Sequence, residues 1–477
     1  MGEFMKNKKA TQVIVIAVMV ILLTSAITMV FIQFAGDKLL ADDTDLNYFS
    51  AYTEIEEFQK VPAMQGKNIK VGKVMDYGSK NYMVDVSGST YDEYLAYLKD
   101  LQSDGFKIHS DNGQDHMEGY VATTNLVKKN LVVTVMHLIK NEKTYISASY
   151  DLPLSDALTY VETTKDMKPG AKTKVHMVQL NNTGNSFVIQ LKNGHFIVYD
   201  GGQEIDAPYL LDYLEKLAPQ GEKPVIEAWF ISHAHSDHYG AMAQISSDAS
   251  AVSRVSVEGF YFHNPGIYSA NVGVDGNIQK TILSTNFFRN QAGEKTPLFR
   301  PQFGQRYYFA DIIIDVCLTP ELFPLNSYYY ATDINDTSIW LMAYIENQKF
   351  LVGGDAAHTS SRAAMSIFEE QYFDMDVFAV FHHGINVYDY FTNYITVDTV
   401  LYTSYRLGSI YKDPSITSAR VEENALLQQK ARESISHENG TVVLSFPYEV
   451  GQAEIAEPFN WKYNEGGKQI IVDFDSN

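Results

Sequence analysis

Apolar positions recur along this chain with two periods, and the changes of period mark its organisation. Segments 69–75, 82–86, 131–139 and 144–150 carry the short alternation of strands, the third around Val133, Val135 and His137. Between the second and third, Thr90-Tyr91-Asp92-Glu93 is a capping box. Tyr94, Leu95, Leu98 and Leu101 follow at helical spacing until Gly105 stops the run. Residues 66–165 therefore read as a small α/β accessory domain, suited to a protein partner. Its histidines, His109, His116 and His137, are scattered and read as surface or satisfied core residues. Asp166, Pro169 and Gly170 break the pattern and place a boundary between 155 and 172. Beyond it, strand-like runs at 186–191, 196–199 and 226–231 flank a helical run at 208–217, and the alternation continues. The expected class is α/β, with a main domain over 172–477 and no internal repeat.

The first thirty-six residues have a different pattern. After Lys6, Lys8 and Lys9, residues 10–36 contain no charged side chain. As a helix these 27 residues would rise about 40 Å, enough to cross a hydrocarbon core of about 30 Å. A cleaved signal peptide is the rival reading, but its apolar region is usually about 7–15 residues, shorter than this run. Residues 1–36 are thus expected to be a tail and single transmembrane anchor. The lysines precede it, and Asp37, Asp42, Asp43 and Asp45 follow, so the positive-inside rule sends the remainder to the extracytoplasmic side. Residues 37–65 have a weak, interrupted pattern that suits a tether.

Composition narrows the chemistry. The chain is 45% hydrophobic and 20% charged, which is globular composition. Its 37 Lys and Arg face 58 Asp and Glu, a net charge of -21, and residues 170–477 hold 20 against 36. A long nucleic acid is therefore an unsuitable partner, because its phosphates must be neutralised by Lys and Arg. The single cysteine, Cys317, excludes an intramolecular disulfide and a Cys-rich zinc site, so a metal would need His, Asp and Glu.

Such a set exists. Ser232-His233-Ala234-His235-Ser236-Asp237-His238-Tyr239-Gly240 follows an apolar strand and precedes residues of helical character. His233 and His235, two apart, can project the same way from an extended segment, and Asp237 and His238 can reach a second position beside them. Three imidazoles and a carboxylate suit zinc, with manganese or iron also compatible.

This His-x-His-x-Asp-His passage resembles the signature of the metallo-β-lactamase fold, and further stations follow in the family's order over roughly 175–450. Asp200-Gly201-Gly202 resembles the early hairpin whose aspartate supports the metal loop. Gly353-Gly354-Asp355 resembles the strand end carrying the bridging aspartate, and His382-His383-Gly384 resembles the last histidine station. Within the fold, Asn335-Asp336-Thr337-Ser338 before an apolar strand looks most like the DNA-internalisation competence proteins, with phosphorylcholine esterases in a neighbouring branch.

The resemblance implies an αββα sandwich holding two divalent ions, with His233 and His235 at site one, and Asp237, His238 and His382 at site two. Asp355 would bridge them. Where many members place a third histidine for site one, this chain has Asn335-Asp336, so either residue, or His263 after the strand-like run 259–262, is a candidate ligand or substrate contact. In an extended segment the adjacent pair cannot both face the same way, and the resemblance favours His382 as ligand, since related patterns put the ligating histidine two before the glycine; His383 would then sit near the substrate or behind the ligands. Asp237 and His383 are then the expected catalytic groups, with Tyr388 a further candidate for the leaving group. Asp200 and His358 are expected to support the site from behind. The implied activity is metal-dependent hydrolysis of a small or envelope-derived phosphodiester or ester, with a non-catalytic metal-containing receptor as the alternative. The aromatic runs Phe260-Tyr261-Phe262 and Tyr328-Tyr329-Tyr330 are candidate cleft walls.

Overall fold

The computed structural model describes residues 48–49, 56–76, 80–150, 152–162, 167–181, 184–263, 275–322, 334–385, 387–403 and 418–456, with two short strands at 461–463 and 469–471. The expected anchor at 1–36 and the tyrosines at 328–330 lie outside them. No helix among the described residues is long and apolar enough to cross a membrane.

The accessory domain is one antiparallel sheet with a helix across it. Its strands are β1 (Lys70–Val71), β2 (Met75–Asp76), β3 (Asn81–Ser87), β4 (Lys107–Asp111), β5 (Val121–Lys128), β6 (Leu131–Leu138) and β7 (Lys143–Tyr150). Their spatial order is β1-β3-β7-β6-β5-β4, with β2 beside β3. The helix Tyr91–Ser103 starts at the expected capping box, where the Glu93 amide donates to Thr90 Oγ1 at 3.3 Å and the Thr90 amide to Glu93 Oε2 at 2.9 Å.

Every residue of β6 is buried, which alternation alone would not produce in a sheet with one wet face. Leu131, Val133 and Val135 pack under the helix, while Met136 and Leu138 share a core with Trp340, Phe368 and Tyr372 of the main domain. The two domains are therefore joined by a continuous apolar contact. Buried polar bonds add to it: Gln305 Nε2 donates to Asn125 Oδ1 at 2.9 Å, and His116 Nε2 meets the Gly304 carbonyl at 2.7 Å.

The expected tether differs in its last part. Phe58, Val61 and Met64 are buried against the accessory sheet, so this stretch is part of the domain rather than a free spacer. The boundary segment is also anchored, with Leu158 in the main core and Ser155 Oγ 2.7 Å from the Tyr261 hydroxyl.

The main domain is two facing sheets with helices outside both. The first contains β8 (Lys174–Met177), β9 (Ser186–Gln190), β10 (Phe196–Asp200), β11 (Val225–Ile231), β12 (Ser256–Val257), β13 (Phe260–Phe262) and β14 (Leu298–Phe299). The second contains β15 (Arg306–Phe309), β16 (Ile312–Leu318), β17 (Trp340–Ile345), β18 (Gln348–Val352), β19 (Asp374–Ala379), β20 (Thr396–Tyr402) and β21 (Glu433–Ser436). Then β22 (Val442–Ser445) and β23 (Glu454–Ile455) return to the first sheet, whose order is β14-β13-β11-β10-β9-β8-β22-β23, with β12 beside β11.

Phe187, Ile197 and Phe230 from one sheet meet Ile314, Leu341 and Phe350 from the other. Helices Ala207–Leu217 and Ser236–Ser246 cover the outer face of the first sheet through Leu210, Leu214 and Met242. Helices His358–Ile367 and Asp389–Tyr394 cover the second through Ala364 and Phe391. The observed architecture is the expected αββα sandwich. The three aromatics of the run 260–262 are buried as β13, with Tyr261 between the sheets, where it borders a cleft with Phe299, and Phe260 and Phe262 beneath the helices.

Candidate metal centre

Four strands in parallel pairs deliver the candidate residues to one end of the sandwich. The pairs are β10 with β11 and β18 with β19. Asp200 ends β10, the loop 232–235 follows β11, and Asp355 and the pair His382-His383 lie just past β18 and β19. The loop is drawn across both sheets, since the Ile339 amide donates to the Ser232 carbonyl at 3.1 Å and the Asp355 amide to Ser338 Oγ at 3.1 Å. Gly354 makes this approach possible. It sits at φ +53, and a Cβ there would lie 2.6 Å from that of Ser232.

Two sets of donor atoms converge, sharing Asp355: His233, His235 and Asp355 in one, and Asp237, His238, Asp355 and His383 in the other. In the first, His233 Nε2 is 2.9 Å from His235 Nδ1 and 4.0 Å from Asp355 Oδ2. In the second, Asp355 Oδ1 is 3.1 Å from His238 Nε2 and 3.3 Å from His383 Nε2, and Asp237 Oδ2 is 3.3 Å from His383 Nε2. His238 Nε2, His383 Nε2 and Asp355 Oδ1 are buried without a hydrogen-bond partner. Buried orphan donors and acceptors are costly, and a cation between them would satisfy all three.

The opposite edges of the rings are already held. His238 Nδ1 donates to Asp200 Oδ2 at 2.7 Å, and Asp200 also accepts from the Ser232 amide at 2.7 Å and Asn185 Nδ2 at 2.8 Å. His383 Nδ1 is 3.0 Å from Thr403 Oγ1, and His233 Nδ1 is 3.0 Å from Ser232 Oγ. Each contact leaves Nε2 facing the centre, the arrangement that orients a metal-binding imidazole. Asp200 thus occupies the supporting place expected of it.

Charge in the centre follows the same logic. Burial alone would raise the Asp355 carboxyl, but the His238, His383 and His382 imidazoles outweigh it and hold it well below the carboxylate range. Burial likewise opposes charge on His383, yet Asp355 and Asp237 carry it up to about 9. His238 is raised against burial by Asp355, Asp200 and Asp237. Burial, reinforced by the His238 charge, lowers both His233 and His235. Protons on His238 and His383 therefore balance the carboxylates, where divalent ions would do so instead.

Of the two adjacent histidines, the structure groups His383, and not the expected His382, with the other donor atoms. Residues 381–384 are not extended: His382 and His383 both have positive φ, 49 and 54, in a tight turn. Alternation therefore does not apply, and His383 is the ring grouped with Asp237, His238 and Asp355. His382 is partly exposed, its Nε2 3.5 Å from Asp355 Oδ2, at the outer side of the centre, and burial lowers it to about 4.

The remaining candidates separate. Asn335 is beside His235. Asp336 faces away, its Oδ1 accepting from the Ser360 amide at 2.8 Å and so capping the helix His358–Ile367. His358 Nδ1 is 3.1 Å from the Tyr390 hydroxyl, outside both donor sets. His263 is buried in contact with Glu321 Oε1, with Arg300 Nη2 3.2 Å from the same oxygen, and also stands outside the sets. Sequence reasoning missed Thr403, which no motif marks, and left Ser232 and Ser338 without roles although both stand inside the quoted motifs.

Residues 181–387 match the metallo-beta-lactamase superfamily model. No curated protein matches the chain. Among solved structures, a metallo-beta-lactamase with a HARLDQ motif from Cronobacter sakazakii is 12% identical, covering 54% of this chain and 91% of its own, at a TM-score of 0.29. Tm1679, a metal-dependent hydrolase of the beta-lactamase superfamily, is 12% identical, covering 55% and 95%, at 0.33. A metallo beta lactamase from Hirschia baltica is 10% identical, covering 63% and 86%, at 0.22. The family model is thus matched across the stretch that holds both donor sets, and it is there that the chain is similar to the metallo-beta-lactamase superfamily.

Proposed function

We infer that the chain is a membrane-anchored, extracytoplasmic hydrolase that uses two divalent ions, zinc first among them, to cleave a small or envelope-derived phosphodiester or ester. The observation that carries this reading is the pair of donor sets joined through one buried aspartate. His233, His235 and Asp355 would hold one ion, with Asn335 near it, and Asp237, His238, Asp355 and His383 the other. Bound there, such ions supply a water of lowered pKa and polarise the scissile oxygen.

The protein's own contribution is positional and acid–base. Asp200, Ser232 and Thr403 fix the ring edges, so that little reorganisation accompanies reaction. Asp237, on the solvent side of its set with its side chain 26% exposed, is placed to orient the attacking water and take its proton. His382, partly exposed with its Nε2 3.5 Å from Asp355 Oδ2, would hydrogen-bond to the departing group. The acidic balance of the domain favours a small substrate over a long nucleic acid. The anchor and orientation rest on residues 6–45 of the sequence.

Metal analysis of the purified protein, with a panel of model phosphodiesters and carboxylic esters, tests this reading. Two ions per chain and turnover abolished by chelation are expected. One retained ion without turnover on any substrate would overturn it in favour of a non-catalytic binding protein.

A further inference from the structure

The strongest feature away from the metal centre lies at the other end of the same sheet. A cleft of about 620 Å³ is lined by Lys168, Lys172, Lys174 and Lys192, with Glu454 as its one carboxylate. In a chain whose acidic residues outnumber its basic ones 58 to 37, this local reversal needs a physical reason. Lysines drawn together repel one another, and the unfolded chain does not pay that cost.

Backbone structure holds the four in place. The Ala171 amide donates to the Lys168 carbonyl at 3.0 Å, closing a turn with Pro169 second and Gly170 third at φ +75, the preferences of a type II turn. Lys168 and Lys172 thus flank a rigid bend. The Lys168 amide donates to the Lys192 carbonyl at 3.0 Å, which ties the bend to the turn between β9 and β10. Lys174 opens β8, paired with Gln190 and Ser445 on either side. Gly194 leaves the space open, since a Cβ there would lie 3.0 Å from Lys168 Nζ. Lys192 is engaged by Glu346 and Asp311. Lys168, Lys172 and Lys174 make no ion pair among the described residues.

We propose that this cleft is a binding site for a phosphate-bearing ligand, separate from the metal centre. Gln190, at the cleft, and Ser186, paired with Asp200 at the metal end, are the two ends of β9, about 13 Å apart. A ligand held by the lysines therefore does not occupy the place where the bond is cut. The compact ammonium groups suit a phosphate monoester, an inorganic phosphate or the phosphodiester of a lipid headgroup.

Calorimetry on the full chain, wild type and the Lys168→Gln/Lys172→Gln/Lys174→Gln variant, tests the proposal with two probes. These are inorganic phosphate and monomeric dihexanoylphosphatidylglycerol below its micelle concentration. Phosphate bound at the metal centre is common to both proteins, so the difference between them isolates the cleft. The expected result is a binding event in the wild type that the variant weakens about tenfold or more, with bound metal and turnover unchanged. If only inorganic phosphate shows the loss, the ligand is soluble; if the lipid shows it too, the source is a headgroup. Equal isotherms in the two proteins for both probes, or no cleft-dependent event in the wild type, overturn the proposal. The single variant Lys172→Gln, at an exposed position, gives the same test with less perturbation should the triple variant unfold.

Discussion

At the scale of residues, the turn at 381–384 decides the sharpest question. Because His383 points to the shared carboxylate from within a left-handed turn, His383→Ala should lower bound metal towards one ion per chain and reduce kcat by orders of magnitude. His382→Ala should retain both ions and alter kcat or KM. Metal content of the two purified variants settles the assignment, and loss confined to His382→Ala would restore the reverse order. Asp200→Asn keeps the size of the side chain but removes the charge that holds His238. A roughly 10–100-fold loss of metal affinity is expected, by competition with a chelating indicator, while the far-ultraviolet spectrum stays unchanged. Unaltered affinity would show that His238 needs no such support.

At the scale of elements, the metal loop depends on close packing that side chains would prevent. Gly354→Ala must place a Cβ against Ser232 at a backbone angle that favours glycine, so it should destabilise the strand ends and the centre together. A lowered thermal midpoint with reduced metal content is expected; wild-type values for both would mean that the approach relaxes freely. The accessory helix offers a contrasting case. Thr90→Ala removes the capping hydroxyl of Tyr91–Ser103 and should cost about 1 kcal/mol in chemical unfolding, with no change in metal content.

At the scale of the whole molecule, the accessory sheet shares its core with the main domain, so its stability is felt throughout. His137 is buried beside Thr144 Oγ1 at 2.9 Å, and burial lowers it to about 4. Its folded value lies below the ordinary value of 6.5, so the unfolded chain takes up the proton first. The associated stability is present above pH 6.5 and is lost as pH falls towards 4, by at most about 3 kcal/mol. Urea midpoints of wild type and His137→Asn, at pH 7.5 and pH 4.5, should converge on acidification; a constant difference would count against the linkage. Deleting residues 1–36 should release a folded protein from membranes with its metal content intact, and persistent sedimentation would place a second membrane contact elsewhere.

The sequence by itself determined most of the donor set and the order of the elements. His233, His235, Asp237, His238 and Asp355 stand in short motifs at strand ends, and local spacing reports which atoms can reach one cavity. The capping box at Thr90 was legible for the same reason, since both partners lie within one turn. Tertiary structure decided what depends on contacts far apart in the chain. Asp336 could equally have faced the metal or a helix end, and only the placement of Ser360 beside it turned it to the helix. Thr403 supports His383 from another strand, and nothing near it in sequence marks that role. The choice between His382 and His383 was not legible, because alternation presumes extended backbone, whereas the chain there makes a left-handed turn. The double burial of β6 arises from a neighbour more than two hundred residues away, which local periodicity does not encode.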